Sequence, residues 1–275
     1  AIVQIVERCK KILADYRGSE IIVVDDASGD KTYEAAKSTG VKVLRHPHNT
    51  GYGRSLKDGI SAAKNDLIAI TDADDSYPVE EIPVMFKIYR EEGVDMVVGA
   101  RRGKYYKESF KKEILRKILK FLVEFTAGKK IDDVNSGLRV FSKKTISSYF
   151  DRLCDTFSFS TSLTLAYMMT DKYVKYHPVE YEKRTGETKV KIFSDSLKTL
   201  QFITEAIMRY NPIKMYILFS SALVIISLLN LIIAFFTKMQ IAYTLGIAAI
   251  LLAVVNLSIG LISIQLKQIL NSEKE

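Results

Sequence analysis

Short apolar runs closed by carboxylates alternate, in the first half of this chain, with stretches whose apolar positions recur every three or four residues. Ile21-Ile22-Val23-Val24 and Leu67-Ile68-Ala69-Ile70 read as buried strands, and each ends in aspartates, Asp25-Asp26 and Asp72-Ala73-Asp74-Asp75. The pattern orders as strand 20–25, helix 30–38, strand 41–45, helix 53–64, strand 67–71, helix 79–92 and strand 94–98. An earlier helix carries Ile2, Ile5, Val6, Cys9, Ile12 and Leu13 at helical spacing. Strands alternating with helices predict right-handed βαβ units, hence an α/β domain with a mostly parallel sheet flanked by helices.

The pattern changes after residue 212. Between Lys214 and Lys267 the only charged residue is Lys238. Residues 215–236 and 241–264 are each long enough, at about 1.5 Å per residue, to cross a hydrocarbon core of roughly 30 Å. The four residues 237–240 between them predict an antiparallel transmembrane hairpin. Lys198, Arg209 and Lys214 precede it and Lys267 and Lys274 follow it, so the positive-inside bias places the charged N-terminal part on the cytoplasmic face of a cell membrane.

The 275 residues carry a net charge of +8, which raises nucleic acid as a partner. The positive residues gather instead in 104–130, where Phe110, Ile114, Leu115, Ile118, Leu122 and Phe125 share a helical face beside Lys107, Lys111, Lys112, Arg116, Lys117 and Lys120. That predicts an amphipathic helix at an anionic membrane surface and no nucleic-acid role. A solvated basic helix packed on the domain is the plainer alternative. Leu197, Leu200, Phe202, Ile203, Ile207 and Met208 predict a second interfacial helix, stopped by Pro212. Cys9 and Cys154 match no metal spacing and read as reduced and structural. His46 and His48 flank Pro47, where loop polarity explains them as well as chemistry does.

Chemistry concentrates at the strand ends. Side chains alternate along a strand, so Asp72 and Asp74 share a face about 6–7 Å apart at Cα. In open α/β sheets ligands bind beyond the carboxyl ends of strands. Two carboxylates there suit a hard divalent cation, whose usual work is to hold phosphate oxygens. Asp25 and Asp26 end a second such strand, although capping the next helix would explain one of them.

These segments carry a resemblance. Val24-Asp25-Asp26-Ala27-Ser28-Gly29-Asp30-Lys31-Thr32, Asn49-Thr50-Gly51-Tyr52-Gly53 and Asp72-Ala73-Asp74 resemble family 2 glycosyltransferases of the GT-A fold. Asp133-Val134-Asn135-Ser136-Gly137-Leu138-Arg139 and Arg184-Thr185-Gly186-Glu187-Thr188-Lys189 narrow the likeness to the polyprenyl-phosphate group, which includes the dolichol-phosphate mannose and glucose synthases. Members of that family begin with a strand ending in Pro-x-Tyr-Asn-Glu; here the first segment reads as a helix, so the first, central strand is expected to be missing. The expected organisation is a GT-A catalytic domain over 1–194, a juxtamembrane helix over 195–212, the hairpin over 213–266 and a cytoplasmic tail over 267–275.

The resemblance implies an inverting enzyme that moves one sugar from a UDP- or GDP-sugar to a polyprenyl or dolichyl phosphate, using Mg²⁺ or Mn²⁺ on Asp72 and Asp74. It implies nucleotide-sugar contacts at Asp25, Asp26, Asn49, Gly51, Gly53 and Asp72. Ser76 stands where the family often has Gln, which leaves the third protein contact to the cation open. A lipid monophosphate is largely dianionic at neutral pH and needs no general base, only cationic donors to hold it. Arg101, Arg116, Ser136, Arg139, Arg184 and Lys189 are the expected acceptor contacts, with Asp74, Arg101 and Arg184 closest to the reaction. Two other classes compete: a processive polysaccharide synthase, disfavoured because the chain has no Trp and two spans, and a non-catalytic membrane adaptor. The particular sugar and the state of oligomerisation, homo-oligomer included, are not written in these motifs.

Overall fold

The computed structural model describes residues 1–103, 110–183 and 192–272, leaving aside the side chains of 110–112, 114–116, 192–198, 209 and 270–272. The chain divides between Ile203 and Thr204 into two units.

In the first unit the order is α1 (Ile2–Leu13), β1 (Ile22–Asp25), α2 (Thr32–Ser38), β2 (Lys42–Arg45), α3 (Tyr52–Ala62), β3 (Leu67–Ile70), α4 (Ile82–Glu91), β4 (Met96–Arg102), α5 (Phe110–Ala127), β5 (Arg139–Ser142), α6 (Lys143–Ser147), α7 (Phe159–Met169) and β6 (Val174–Glu180). Each strand and helix expected from the apolar pattern is present, with ends shifted by a few residues. Four strands form one sheet in the order β3-β5-β4-β6, with β4 and β6 parallel and β5 antiparallel to both of its neighbours. Alternation along the central strands makes two cores. Met96, Val98 and Phe141 face α7 through Phe159, Leu163 and Tyr167. Val97 and Val140 face α4 through Ile82, Met85 and Phe86.

β1 pairs with β2 in parallel as a separate two-stranded sheet, from Ile22 opposite Lys42 to Asp25 opposite Arg45. Among the described residues no strand joins β1 to β3. A cavity of about 1310 Å³ lies there instead, lined by residues along both strands and by Ile5, Val6 and Cys9 of α1. Wholly apolar strands are normally covered on both faces. Here Ile22, Val23, Val24, Leu67, Ile68 and Ala69 are only half-buried.

α8 (Ile192–Tyr210) crosses the unit boundary, which therefore falls nine residues beyond the expected end of the catalytic domain at 194. The second unit pairs α9 (Ile213–Thr237) with α10 (Gln240–Ser272), each long and apolar enough to cross a membrane. The turn between them is made by Lys238, in the left-handed region at φ 59°. Small residues let the two helices approach closely. A Cβ on Gly246 would stand 2.8 Å from the Leu231 side chain, and Ser220 donates to the Ala253 carbonyl at 3.0 Å. Residues 267–272 of the expected tail are helical, continuing α10.

Candidate active site

The cavity between β1 and β3 opens at the carboxyl ends of the strands, where Asp25, Asp26, Asn49, Asp72, Asp74 and Arg101 all line it. The β1 end is built inward. Asp25 is buried, and its Oδ1 accepts the Ser28 N–H at 3.3 Å. Its Oδ2 is buried without a hydrogen bond among the described residues, although Arg45 Nε stands 3.3 Å away. Asp26 grips the next loop. Oδ1 accepts the Thr50 N–H at 2.7 Å and the Thr50 hydroxyl at 3.0 Å, and Oδ2 accepts the Gly51 N–H at 2.9 Å. Burial pushes the Asp26 carboxyl up, but those donors and His46 outweigh it and hold its pKa below the ordinary carboxylate value. His46 stands between Asp26 Oδ1 at 2.9 Å and Asp58 Oδ2 at 3.2 Å. Loop polarity alone therefore does not account for it.

Gly51, at φ 106°, follows this grip and leads into α3. A Cβ there would meet the Asp155 carbonyl at 2.5 Å. Gly53 is buried, and a Cβ on it would collide with the Cys154 carbonyl. The close approach expected of Gly53 is thus to the 153–156 segment and not to a nucleotide. Lys57 ties the same segment down through the Leu153 carbonyl and Asp155, each at 2.6 Å.

The β3 end is built differently. Tyr52 donates its hydroxyl to Asp72 Oδ1 at 2.9 Å, and Ser76 donates both N–H, at 3.1 Å, and hydroxyl to Asp74 Oδ1. Asp75 is left-handed at φ 62° and pairs with Arg8, whose Nε also reaches Glu80 at 2.8 Å. No group of three or more His, Cys, Asp or Glu converges as a metal cage among the described residues. Two carboxylates fit Mg²⁺ or Mn²⁺ nonetheless, since such a cation takes one or two protein carboxylates and fills its other positions with phosphate and water oxygens.

The third wall comes from β4 and the segment before β5. Arg101 is clamped in plane by Asp133, Nε to Oδ2 at 2.7 Å and Nη2 to Oδ1 at 2.9 Å. Burial raises the Asp133 carboxyl, and Arg101 more than reverses this, leaving its pKa below the ordinary value. Two expected acceptor contacts are corrected. Arg139 is fully buried and donates to the Ser136 carbonyl at 2.9 Å, the Val134 carbonyl at 2.9 Å and the Thr164 hydroxyl at 3.0 Å. Ser136 is also fully buried, donating to the Gly99 carbonyl at 2.6 Å. Both turn inward here and shape the loop from inside. Arg184 and Lys189 lie outside the described residues, as does the Arg116 side chain on α5. Tyr52 and Asp133 sat inside quoted motifs without a role, and Tyr77 lay just beyond Asp72-Ala73-Asp74-Asp75; for the two tyrosines an aromatic beside a carboxylate strand end was the signal.

Residues 1–150 match the family model described as glycosyl transferase family 2. The chain belongs to glycosyl transferase family 2. Among curated relatives, this family 2 chain is 28% identical over 206 residues to the low-salt glycan biosynthesis hexosyltransferase Agl6 of Haloferax volcanii, covering 74% of this chain and 49% of the relative. It is 26% identical over 178 residues to the dolichyl-phosphate hexose transferase of the same organism, covering 64% and 76%. It is 33% identical over 146 residues to the undecaprenyl-phosphate 4-deoxy-4-formamido-L-arabinose transferase of Serratia proteamaculans, covering 51% and 43%. The chain spans about half the length of the first curated relatives it matches. Among solved structures, glucosyl-3-phosphoglycerate synthase from Mycobacterium tuberculosis, in complex with Mn²⁺, UDP and phosphoglyceric acid, superposes with a TM-score of 0.61 at 16% identity, covering 75% of this chain and 74% of that one. The fold is GT-A, and this family 2 member carries its aspartates at the carboxyl ends of strands, where open α/β sheets bind ligands.

Proposed function

We propose that this chain is an inverting glycosyltransferase that moves one sugar from a UDP- or GDP-sugar to a polyprenyl phosphate at the cytoplasmic face of a membrane. The observation that carries the reading is the Asp72–Asp74 pair, braced by Tyr52 and Ser76 and facing the same cavity as Asp25, Asn49 and Arg101. Relatives named for dolichyl-phosphate and undecaprenyl-phosphate transfer support the lipid acceptor. The two apolar helices support placing the enzyme where such a lipid resides.

Asp72 and Asp74 would hold a divalent cation, which when bound offsets the charge gathering on the leaving diphosphate. Asp25 and Asn49, which line the same cavity, would face the nucleoside, Asn49 from the loop that Asp26 secures. The acceptor's phosphate oxygen attacks the anomeric carbon from the side opposite the diphosphate. One carbon–oxygen bond forms as the other breaks, so the configuration inverts. With a second pKa near 6, that phosphate is largely dianionic at neutral pH and needs no base. Arg101, its orientation fixed by Asp133, would reach the acceptor phosphate from beside the site; Arg184 and Lys189 would add positive charge.

We further propose that an additional strand can lie between β1 and β3, with its end beside Asp25 and Asp72. The apolar edges of those strands, which no strand joins among the described residues, support it.

The decisive experiment screens UDP- and GDP-sugars with the purified full chain and a polyprenyl phosphate, reading lipid products by mass spectrometry. A lipid heavier by one phosphate-linked sugar is expected. Release of free sugar alone, or no product from any donor, overturns the proposal.

A further inference from the structure

Tyr52 touches both halves of the site. It is the first residue of α3, directly after the loop that Asp26 secures through the Thr50 and Gly51 N–H groups. Its side chain turns the other way and donates to Asp72 Oδ1 at 2.9 Å. Its ring lies 6.1 Å from that of Phe157, tilted by 44°. Gly137 stands at the opposite edge of the same carboxylate, where a Cβ would come within 2.6 Å of Oδ2. The Gly137 N–H is itself fixed at 2.7 Å by the hydroxyl of Tyr77, a buried side chain. Asp72 therefore sits between a hydroxyl at one oxygen and a backbone at the other.

We propose that Tyr52 is a positioning residue for cation binding, fixing the Asp72 carboxylate and tying it to the loop that receives the donor nucleotide. The inference rests on the reading of Asp72 and Asp74 as cation ligands. An ionised carboxylate has about four acceptor positions, so a hydroxyl bonded to one oxygen can orient a carboxylate that also binds a metal. Groups that orient metal ligands from behind commonly change metal affinity by about 10–100-fold when removed.

The test measures Mn²⁺ binding to the full chain by electron paramagnetic resonance, with UDP or GDP present. Tyr52→Phe removes one oxygen and keeps the ring, and about a tenfold or greater loss of Mn²⁺ affinity is expected, in a protein whose circular dichroism matches the wild type. A second measurement places 3-fluorotyrosine at position 52 and adds Mg²⁺ with UDP or GDP. Its ¹⁹F signal should shift and saturate together with cation binding. Mn²⁺ affinity equal to wild type in a folded Tyr52→Phe protein, or a fluorine signal indifferent to Mg²⁺, overturns the inference alone. Failure of the wild type to bind Mn²⁺ with either nucleotide overturns the cation reading beneath it.

Discussion

The two acidic strand ends share a sequence pattern and use their carboxylates in opposite ways. At β1, Asp26 gives both oxygens to the protein, binding the Thr50 and Gly51 N–H groups, and so builds a loop. At β3, Asp72 and Asp74 are each braced from one side, by Tyr52 and Ser76, and face the cavity. Asp26 spends both oxygens on the neighbouring loop, whereas the bonds from Tyr52 and Ser76 each fall on Oδ1 of their aspartate. The pattern of apolar strand then aspartate marks a ligand-facing end without telling these roles apart.

The largest effect that separates them is expected at Asp74. Asp74→Asn keeps an oxygen for Ser76 but removes the charge, and transfer should fall by about a thousandfold or more. Circular dichroism should remain that of the wild type. Substantial transfer by this variant would erase the contrast.

Asp26→Ala should act on stability. It strips acceptors from the Thr50 and Gly51 N–H groups, which costs about 2–3 kcal/mol, or roughly 5–10 °C in thermal melting. Mn²⁺ binding at the other end should persist in the folded fraction.

The additional strand would join the two ends into one sheet. In a protein that carries such a strand, amide exchange in β1 and β3 should be slower by about tenfold or more, because their exposed edges become paired. Unchanged exchange in both strands would contradict the strand.

Acid should loosen the β1 end and the Arg101 clamp. Asp26 and Asp133 have folded pKa values held below the ordinary carboxylate value of about 3.9. Their contribution is complete above that value and is lost as pH falls through the folded pKa. A melting temperature that is flat near neutrality and drops below about pH 4 is expected, with a shallower drop in Asp26→Asn. The smallest effect belongs to Ser76→Ala, which removes one hydroxyl from Asp74 and should weaken Mn²⁺ binding only a few-fold, about 1 kcal/mol.

Much of the scaffold was legible because periodicity reports burial directly. The alternation of Met96, Val97 and Val98 between two cores, and the apolar stretches that became α9 and α10, follow from that rule. The antiparallel insertion of β5 between β3 and β4 was not legible, since the four residues Arg139–Ser142 carry no orientation signal. Within the site, motif positions were clearer than roles. Arg139 and Ser136 look like phosphate ligands in sequence, yet Arg139 satisfies its guanidinium on carbonyls and Thr164, and Ser136 its hydroxyl on Gly99. Gly53 looks like a glycine for a nucleotide, yet it admits the Cys154 carbonyl. Burial of a polar residue depends on partners far along the chain, and local spacing does not encode them.

The central claim is that the β3 end works on ligands and that Asp26 at the β1 end is structural. Its most direct measurement is the position of Mn²⁺ in crystals of the full chain grown with UDP or GDP, found by anomalous scattering at the manganese edge. One peak within coordination distance of Asp72 or Asp74, at about 2.0–2.3 Å from a carboxylate oxygen, is predicted, with Asp26 still bonded to Thr50 and Gly51. A manganese peak on Asp26, or a bound nucleotide with no manganese near Asp72 and Asp74, would contradict it.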